Sequence, residues 1–250
     1  MKIQTNDKTL SNEFESVYVD LRIDEKRMYT DEEVLWLPDV NEDHLHRNEW
    51  KIRKGSCEKF TKYLLNKTKP LKILEVGCGN GWLSYHLSQV PNTTVVGLDI
   101  NLLELQQAER VFGGTANLNF VRGDLSALAH QQFDVIVFAA SIQYFNSFSN
   151  IIGSALERLN SGGEIHILDS HLYYQTELAQ AKKRSREYFY NRGFNKMDDF
   201  YFHHTLKDLD EFKFHILHDP NSIINRVLKK SNPFHWICIK NDQPVTIPYL

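Results

Sequence analysis

An apolar run, Ile73-Leu74-Glu75-Val76, breaks into three glycines in strict alternation, Gly77, Gly79 and Gly81, and a helical pattern starts directly after them. A buried strand that turns on glycine into a helix presents bare backbone N–H groups at the helix start. Glycine is needed where a chain turns sharply or lets a ligand approach its backbone. The spacing is G-x-G-x-G, not the G-x-G-x-x-G of dinucleotide loops. Glu75 stands two residues before the first glycine, which suits the loop to a zwitterionic or cationic ligand more than to a pyrophosphate.

The segments around this loop alternate as a parallel sheet requires. Strands are expected at 72–76, 94–98, 118–122, 133–139 and 164–168, with helices at 81–90, 101–112 and 151–159. Near-continuous apolar strands such as Val135-Ile136-Val137-Phe138 predict burial on both faces. Beyond Asp169 the regularity changes. A helix is expected at 176–190, then strands at 212–217 and 234–239 joined by a helix at 221–229. The fold class is α/β, a Rossmann-like doubly wound sheet. About 70 residues precede the first strand. They hold a polar, mobile start to about residue 13, a helix start at Thr30 and an amphipathic helix at 48–65. The division expected is a helical cover over 1–69 and a core over 70–250, with 171–205 as a helical, aromatic lid inserted over the substrate.

A length of 250 residues with 42% apolar content supports one large domain with a sizeable core. The net charge of −3, with acids and bases interspersed, argues against a nucleic-acid surface. Cys57, Cys78 and Cys238 are scattered and odd in number, so neither a disulfide framework nor a metal knuckle is expected. The polar N-terminus and the lack of a membrane-length apolar run point to a cytoplasmic protein, monomer or homodimer. His44-x-His46 and His203-His204 lack a third ligand at any recognisable spacing, so no metal is expected.

Ligands of doubly wound sheets bind outside the carboxyl ends of the strands, at the switch point. The second strand ends in Asp99, placed to accept both hydroxyls of an unphosphorylated ribose. The third ends in Asp124, with the Leu125 N–H beside it, a pair able to meet an adenine edge. The fourth ends in Ala139-Ala140-Ser141, small enough to admit a reactive group. Taken with the glycine loop and the Ser161-Gly162-Gly163-Glu164 turn before the fifth strand, these motifs resemble class I S-adenosylmethionine (SAM) dependent methyltransferases over residues 71–169. They are most similar to the small-molecule group that includes the ubiquinone and menaquinone C-methylases.

The resemblance implies that the last two strands pair, one inserting antiparallel beside the fifth, for seven strands in all. It implies SAM as cofactor, held by Glu75, Gly77, Cys78, Gly79, Asn80 and Gly81 in the loop, by Asp99 on the ribose, by Ile100, Asp124 and Leu125 at the adenine, and by Ala139 and Ser141 near the transferred methyl. Two departures stand out. Ser161 replaces a frequent proline, and Gln143 or Tyr144 falls where the family often has histidine. Gln143, Tyr144 and above all His171, three residues past the fifth strand, are the candidates for catalysis. Tyr29, Trp36, Arg53, Tyr173, His203 and His204 are candidates for contact with a small-molecule acceptor. A nucleic-acid or protein methyltransferase, an NAD(P) oxidoreductase and a SAM-binding protein without catalysis remain as alternatives. The sequence Ala-Ala-Ser-Ile-Gln-Tyr-Phe after the fourth strand disfavours adenine-N6 enzymes, which carry N-P-P-[YF] there.

Overall fold

The computed structural model describes residues 8–222, 225 and 232–241. Seven strands form one sheet: β1 (Leu71–Val76), β2 (Thr93–Asp99), β3 (Leu118–Arg122), β4 (Phe133–Ala139), β5 (Leu159–Leu168), β6 (Phe214–His218) and β7 (Trp236–Lys240), in the order β3-β2-β1-β4-β5-β7-β6. β1 to β5 pair in parallel, and β7 runs antiparallel between β5 and β6. Six strands therefore share one direction and one opposes them, as expected. The switch point lies between β1 and β4, and the chain reverses its spread there.

Side-chain alternation on the central strands builds two cores. Leu74, Val96, Ile136 and Phe138 point to one face, whereas Ile73, Val95, Val135 and Val137 point to the other. The second face is covered by α2 (Asp31–Trp36), α3 (Arg47–Leu65) and α4 (Trp82–Ser88), through Val34, Phe60 and Leu87, all fully buried. α2 begins at a capping box. Thr30 Oγ1 accepts from the Glu33 N–H at 3.2 Å, and the Thr30 N–H donates to Glu33 Oε2 at 2.7 Å. α5 (Leu102–Phe112) is capped by Asn101, and α6 (Phe148–Leu156) lies on the first face.

The N-terminal expectation needs correction from Lys8 onward, where a helix replaces the mobile polar start. α1 (Lys8–Asp24) carries Phe14, Val17, Tyr18 and Leu21 at helical spacing, and these pack with Phe189, Met197 and Tyr201 in a third cluster. Phe189 belongs to α7 (Leu178–Asn191), and Met197 to the 3₁₀ turn Asn195–Phe200. β5 starts earlier than expected, at Leu159, because Leu159 already pairs with Phe133; the strand then bulges through Ser161-Gly162-Gly163, with Gly162 at φ 71°, before pairing resumes at Glu164 opposite Val135. The helix expected at 221–229 lies largely outside the described residues.

α3 is joined to the sheet by a buried ionic network. Glu164 on β5 accepts from Tyr63 Oη and Lys67 Nζ, both at 2.8 Å, and from His166 Nε2 at 3.3 Å. These donors hold the Glu164 carboxyl far below the ordinary carboxylate range. Lys67→Met removes the nearer cation and leaves Lys240 Nζ, at 3.9 Å, to face that carboxylate, at a cost of about 1.5–3 kcal/mol. Urea denaturation checks this, with most of the loss recovered by adding Glu164→Gln.

Candidate active site

The glycine loop leaves β1 in the left-handed region, with φ of 76° at Gly77 and 77° at Gly81. Close packing forbids side chains at both. A Cβ on Gly77 would stand 2.5 Å from Ser141 Cβ, and one on Gly81 would stand 2.6 Å from the Phe120 ring. Gly77 and Cys78 N–H groups both donate to the Leu98 carbonyl, at 2.8 and 3.1 Å, which ties the loop to β2. Ser141 donates to the Val76 carbonyl at 2.6 Å, which ties it to β4. Asn80 Oδ1 accepts from the Trp82 N–H as α4 begins.

Asp99 closes the arrangement. Its Oδ2 accepts the Gly79 N–H at 2.7 Å and its Oδ1 the Asn101 N–H at 2.8 Å. Burial still pushes its carboxyl above the ordinary value. Ile100 is half-buried beside it. Asp124 is exposed at the end of β3, where its Oδ1 accepts from both Ser126 N–H and Ser126 Oγ, so one carboxylate oxygen is left for a ligand. Leu125 is buried and begins the 3₁₀ turn Leu125–Leu128.

Three further acids lie around the loop, and burial raises all of them. Glu75, 3% exposed, accepts from Ser84 Oγ and is pushed up to about 8. Glu104 on α5, 7% exposed, reaches about 7. Asp169, just past β5, reaches about 6 while Ser56 Oγ donates to it. A protein that holds these protons in its folded state but releases them near pH 4 to 5 when unfolded loses stability as pH rises through the folded values. The free protein is expected to lose about 1 kcal/mol between pH 7 and 8.5. Unfolding curves at the two pH values check this, and Glu75→Gln flattens the dependence.

Two cavities meet at the ends of β4 and β5. The smaller, of about 100 Å³, lies on the glycine loop and is roofed by Tyr18 and Arg22 of α1. The larger, of about 470 Å³, extends from it toward α7 and includes Glu25, Arg27, Glu49 and Arg184 in its lining. The two share Arg22, Arg53, Ala140, Gln143, Tyr144 and Asp169 as a common wall. Ala140 and Asp169 are both non-glycine residues at positive φ, 53° and 51°. Strained backbone at adjacent strand ends is a mark of functional sites.

The candidates distribute unevenly around this wall. Gln143 donates to the Ala140 carbonyl at 2.7 Å and accepts from Ser170 Oγ at 3.1 Å. Tyr144 is half-buried among Phe14, Tyr18 and Tyr201. Arg53 spans both cavities, stacks over Trp50 and pairs with Glu49 at 2.9 Å. Tyr29 lines the smaller cavity, and its hydroxyl accepts from Trp50 Nε1. His171 lines the larger cavity as an exposed residue, and partial desolvation of its ring, with Arg184 nearby, lowers its pKa.

Four acceptor candidates are not brought to this wall. Trp36 is 66% exposed at the end of α2, because that short helix buries only Val34. Tyr173 stacks on His171 and faces a separate polar cavity. His203 bonds Ser185 Oγ, and His204 bonds the Ile142 carbonyl, both away from the wall. Conversely, Tyr18, Arg22, Glu104 and Asp169 stand at the site without having been singled out for it. One sequence signal was open to Glu104: it occupies the apolar, inward stripe of α5 beside Leu105 and Ala108.

One grouping invites a metal reading. Glu164, His166 and Cys238 place one ligand atom each within 4.8 Å of one another, a cluster that strand pairing creates and linear spacing hides. Trp236 Nε1 donates to His166 Nδ1 at 3.1 Å. That fixes the proton on Nε2, which donates to Glu164, so the ring keeps no lone pair for a metal.

Residues 67–236 match a family model described as a methyltransferase domain. The chain belongs to this methyltransferase family. Its topology is that of the class I, SAM-dependent fold. Among curated relatives, malonyl-[acyl-carrier protein] O-methyltransferase of Halalkalibacterium halodurans is 28% identical over 103 residues, covering 39% of this chain and 38% of that protein. Phosphoethanolamine N-methyltransferase 1 of Zea mays is 26% identical over 152 residues, covering 59% and 30%. The methyltransferase chain thus spans less than half the length of these curated relatives. Among solved structures, magnesium protoporphyrin IX methyltransferase of Synechocystis PCC 6803, with bound SAM, superimposes with a TM-score of 0.58 at 12% identity, covering 95% of this chain and 98% of that one. That likeness concerns the fold.

Proposed function

We propose that this methyltransferase binds SAM on the glycine loop and transfers its methyl group to a small-molecule acceptor in the 470 Å³ cavity. The observation that carries the reading is the pair of cavities with one common wall at the ends of β4 and β5. A two-substrate transfer needs two compartments that open onto each other at the reacting atoms. The donor set fits the cofactor, since the smaller cavity gathers Glu75, Glu104 and Asp169 against Arg22 and Arg53, and SAM carries net positive charge. SAM supplies a methyl already activated on a sulfonium, so positioning is the main demand on the protein, worth about 7–11 kcal/mol at most. Asp99 takes the ribose hydroxyls, Asp124 and Leu125 the adenine edge, and Gly77 lets the amino-acid part approach the backbone. For an acceptor that must lose a proton, Asp169 is better placed than His171, because it belongs to both cavities while His171 lines the larger one and not the smaller.

The covers complete the reading. α1 and α3 on one side and α7 with the turn Asn195–Phe200 on the other line the acceptor cavity, which supports reading the described parts of 1–69 and 171–205 as cover and lid over the sheet core. The exposed basic run on α7 does not suggest nucleic acid, since Lys183 pairs with Glu187 and Arg186 with Asp198. Among the described residues no helix is long and apolar enough to cross a membrane. Three buried, unbridged thiols, Cys57, Cys78 and Cys238, fit a reducing cytoplasm. Incubation with methyl-labelled SAM and panels of small carboxylic acids, phenols and amines, against panels of protein and nucleic acid, tests the acceptor class. Label is expected in a small molecule. Label confined to protein or nucleic acid would overturn that assignment.

A further inference from the structure

Among the described residues no donor reaches the Glu104 carboxylate. Glu104 is 7% exposed, it lines the cavity on the glycine loop, and its oxygens lie 3.3 and 3.5 Å from where a Cβ of Gly79 would stand. Asp99, on the other side of the same glycine, has its oxygens engaged by the Gly79 and Asn101 N–H groups. Glu104 has only its backbone N–H bonded, to Asn101 Oδ1. Across the crevice stands Arg22 of α1, whose Nη1 lies 3.6 Å from Glu25 and whose buried Nε has no hydrogen-bond partner among the described residues. A buried carboxylate aimed at a cavity and lacking a donor is costly unless a ligand completes it.

The charged and titratable groups nearby are Tyr18 and Arg22 on α1, Arg53 on α3, Glu75 and Cys78 at the loop, and Asp99 on β2. Burial and the neighbouring Asp99 raise the Glu104 carboxyl more than Arg22 and Arg53 lower it. Resting on the SAM reading above, we propose that Glu104 is a cofactor-binding residue that faces the positive charge of SAM and makes the site prefer the charged cofactor to its spent, neutral product, S-adenosylhomocysteine (SAH). The two ligands share nucleoside, ammonium and carboxylate, and differ in the methyl and the sulfonium charge. A carboxylate within a few ångström of that charge, in a water-poor crevice, stabilises SAM selectively. It would thereby assist product release, because transfer of the methyl removes the charge that Glu104 holds.

The test is titration calorimetry of SAM and SAH on the wild type, Glu104→Gln and Glu104→Asp at pH 8, where the wild-type carboxyl is ionised. Glu104→Gln keeps the shape and removes the charge. It is expected to weaken SAM about tenfold or more and SAH less than threefold, with Glu104→Asp recovering part of the preference. Its unfolding temperature is expected to equal or exceed that of the wild type, since a buried charge has been removed. Parallel loss of both affinities, or no change in either, would overturn the proposal. A wild type that binds neither ligand would instead overturn the SAM reading itself, and the two failures are thus distinct.

Discussion

Asp99→Ala is expected to remove measurable SAM binding, a loss of about 100-fold or more. Two contributions combine. On the proposed reading the carboxylate accepts the ribose hydroxyls, and hydrogen bonds to a charged group are worth about 1.5–3 kcal/mol each. It also accepts the Gly79 and Asn101 N–H groups, so it fixes the loop relative to the start of α5 before any ligand arrives. The alanine variant loses both. Asp99→Asn keeps one acceptor oxygen and should fall between. Calorimetry measures the affinities, and circular dichroism checks that the sheet survives. An alanine variant within threefold of the wild type would place the ribose elsewhere.

Gly77→Ala is expected to be strongly destabilising for a change of one methyl group. At φ 76° an alanine costs about 1–2 kcal/mol from its own backbone. The added carbon would also overlap Ser141 Cβ at 2.5 Å, and forced overlap in a packed site adds about 1–3 kcal/mol. At roughly 2–4 °C per kcal/mol for a chain of this size, the unfolding temperature should fall by about 5–15 °C. Ser141→Gly in the same chain relieves the overlap but not the backbone strain, so recovery should be partial. An unchanged unfolding temperature for Gly77→Ala alone would mean the loop can move away from β4, contrary to the tight contact described.

These two residues belong to the part of the molecule that was legible in the sequence. Strands such as Val135-Ile136-Val137-Phe138 are read easily because both faces are buried, and the acids at strand ends follow once the strands are placed. α1 was not legible in the same way. Its stripe of Phe14, Val17, Tyr18 and Leu21 has helical spacing, but charged and polar residues surround it, and its partners on α7 lie more than 160 positions away along the chain. Trp36 misled for the opposite reason. A tryptophan in a presumed cover suggests a pocket wall, yet α2 is too short to turn it inward. Asp169 marks only the point where the regular pattern ends, and the meeting of two cavities beside it gives it a functional meaning. Glu164, His166 and Cys238 converge because β7 pairs with β5, and no linear spacing carries that pairing.

The glycine loop itself gains in definition from its surroundings. Gly77 and Gly81 are fixed by Ser141 and Phe120, Gly79 lies between two carboxylates, and α1 closes over it with Tyr18 and Arg22. The central claim is that this constellation is a SAM site. Titration of the purified protein with SAH and, separately, with NAD tests it most directly. The account predicts one-to-one binding of SAH, lost in Asp99→Ala, and no heat with NAD; binding of NAD with none of SAH would contradict it.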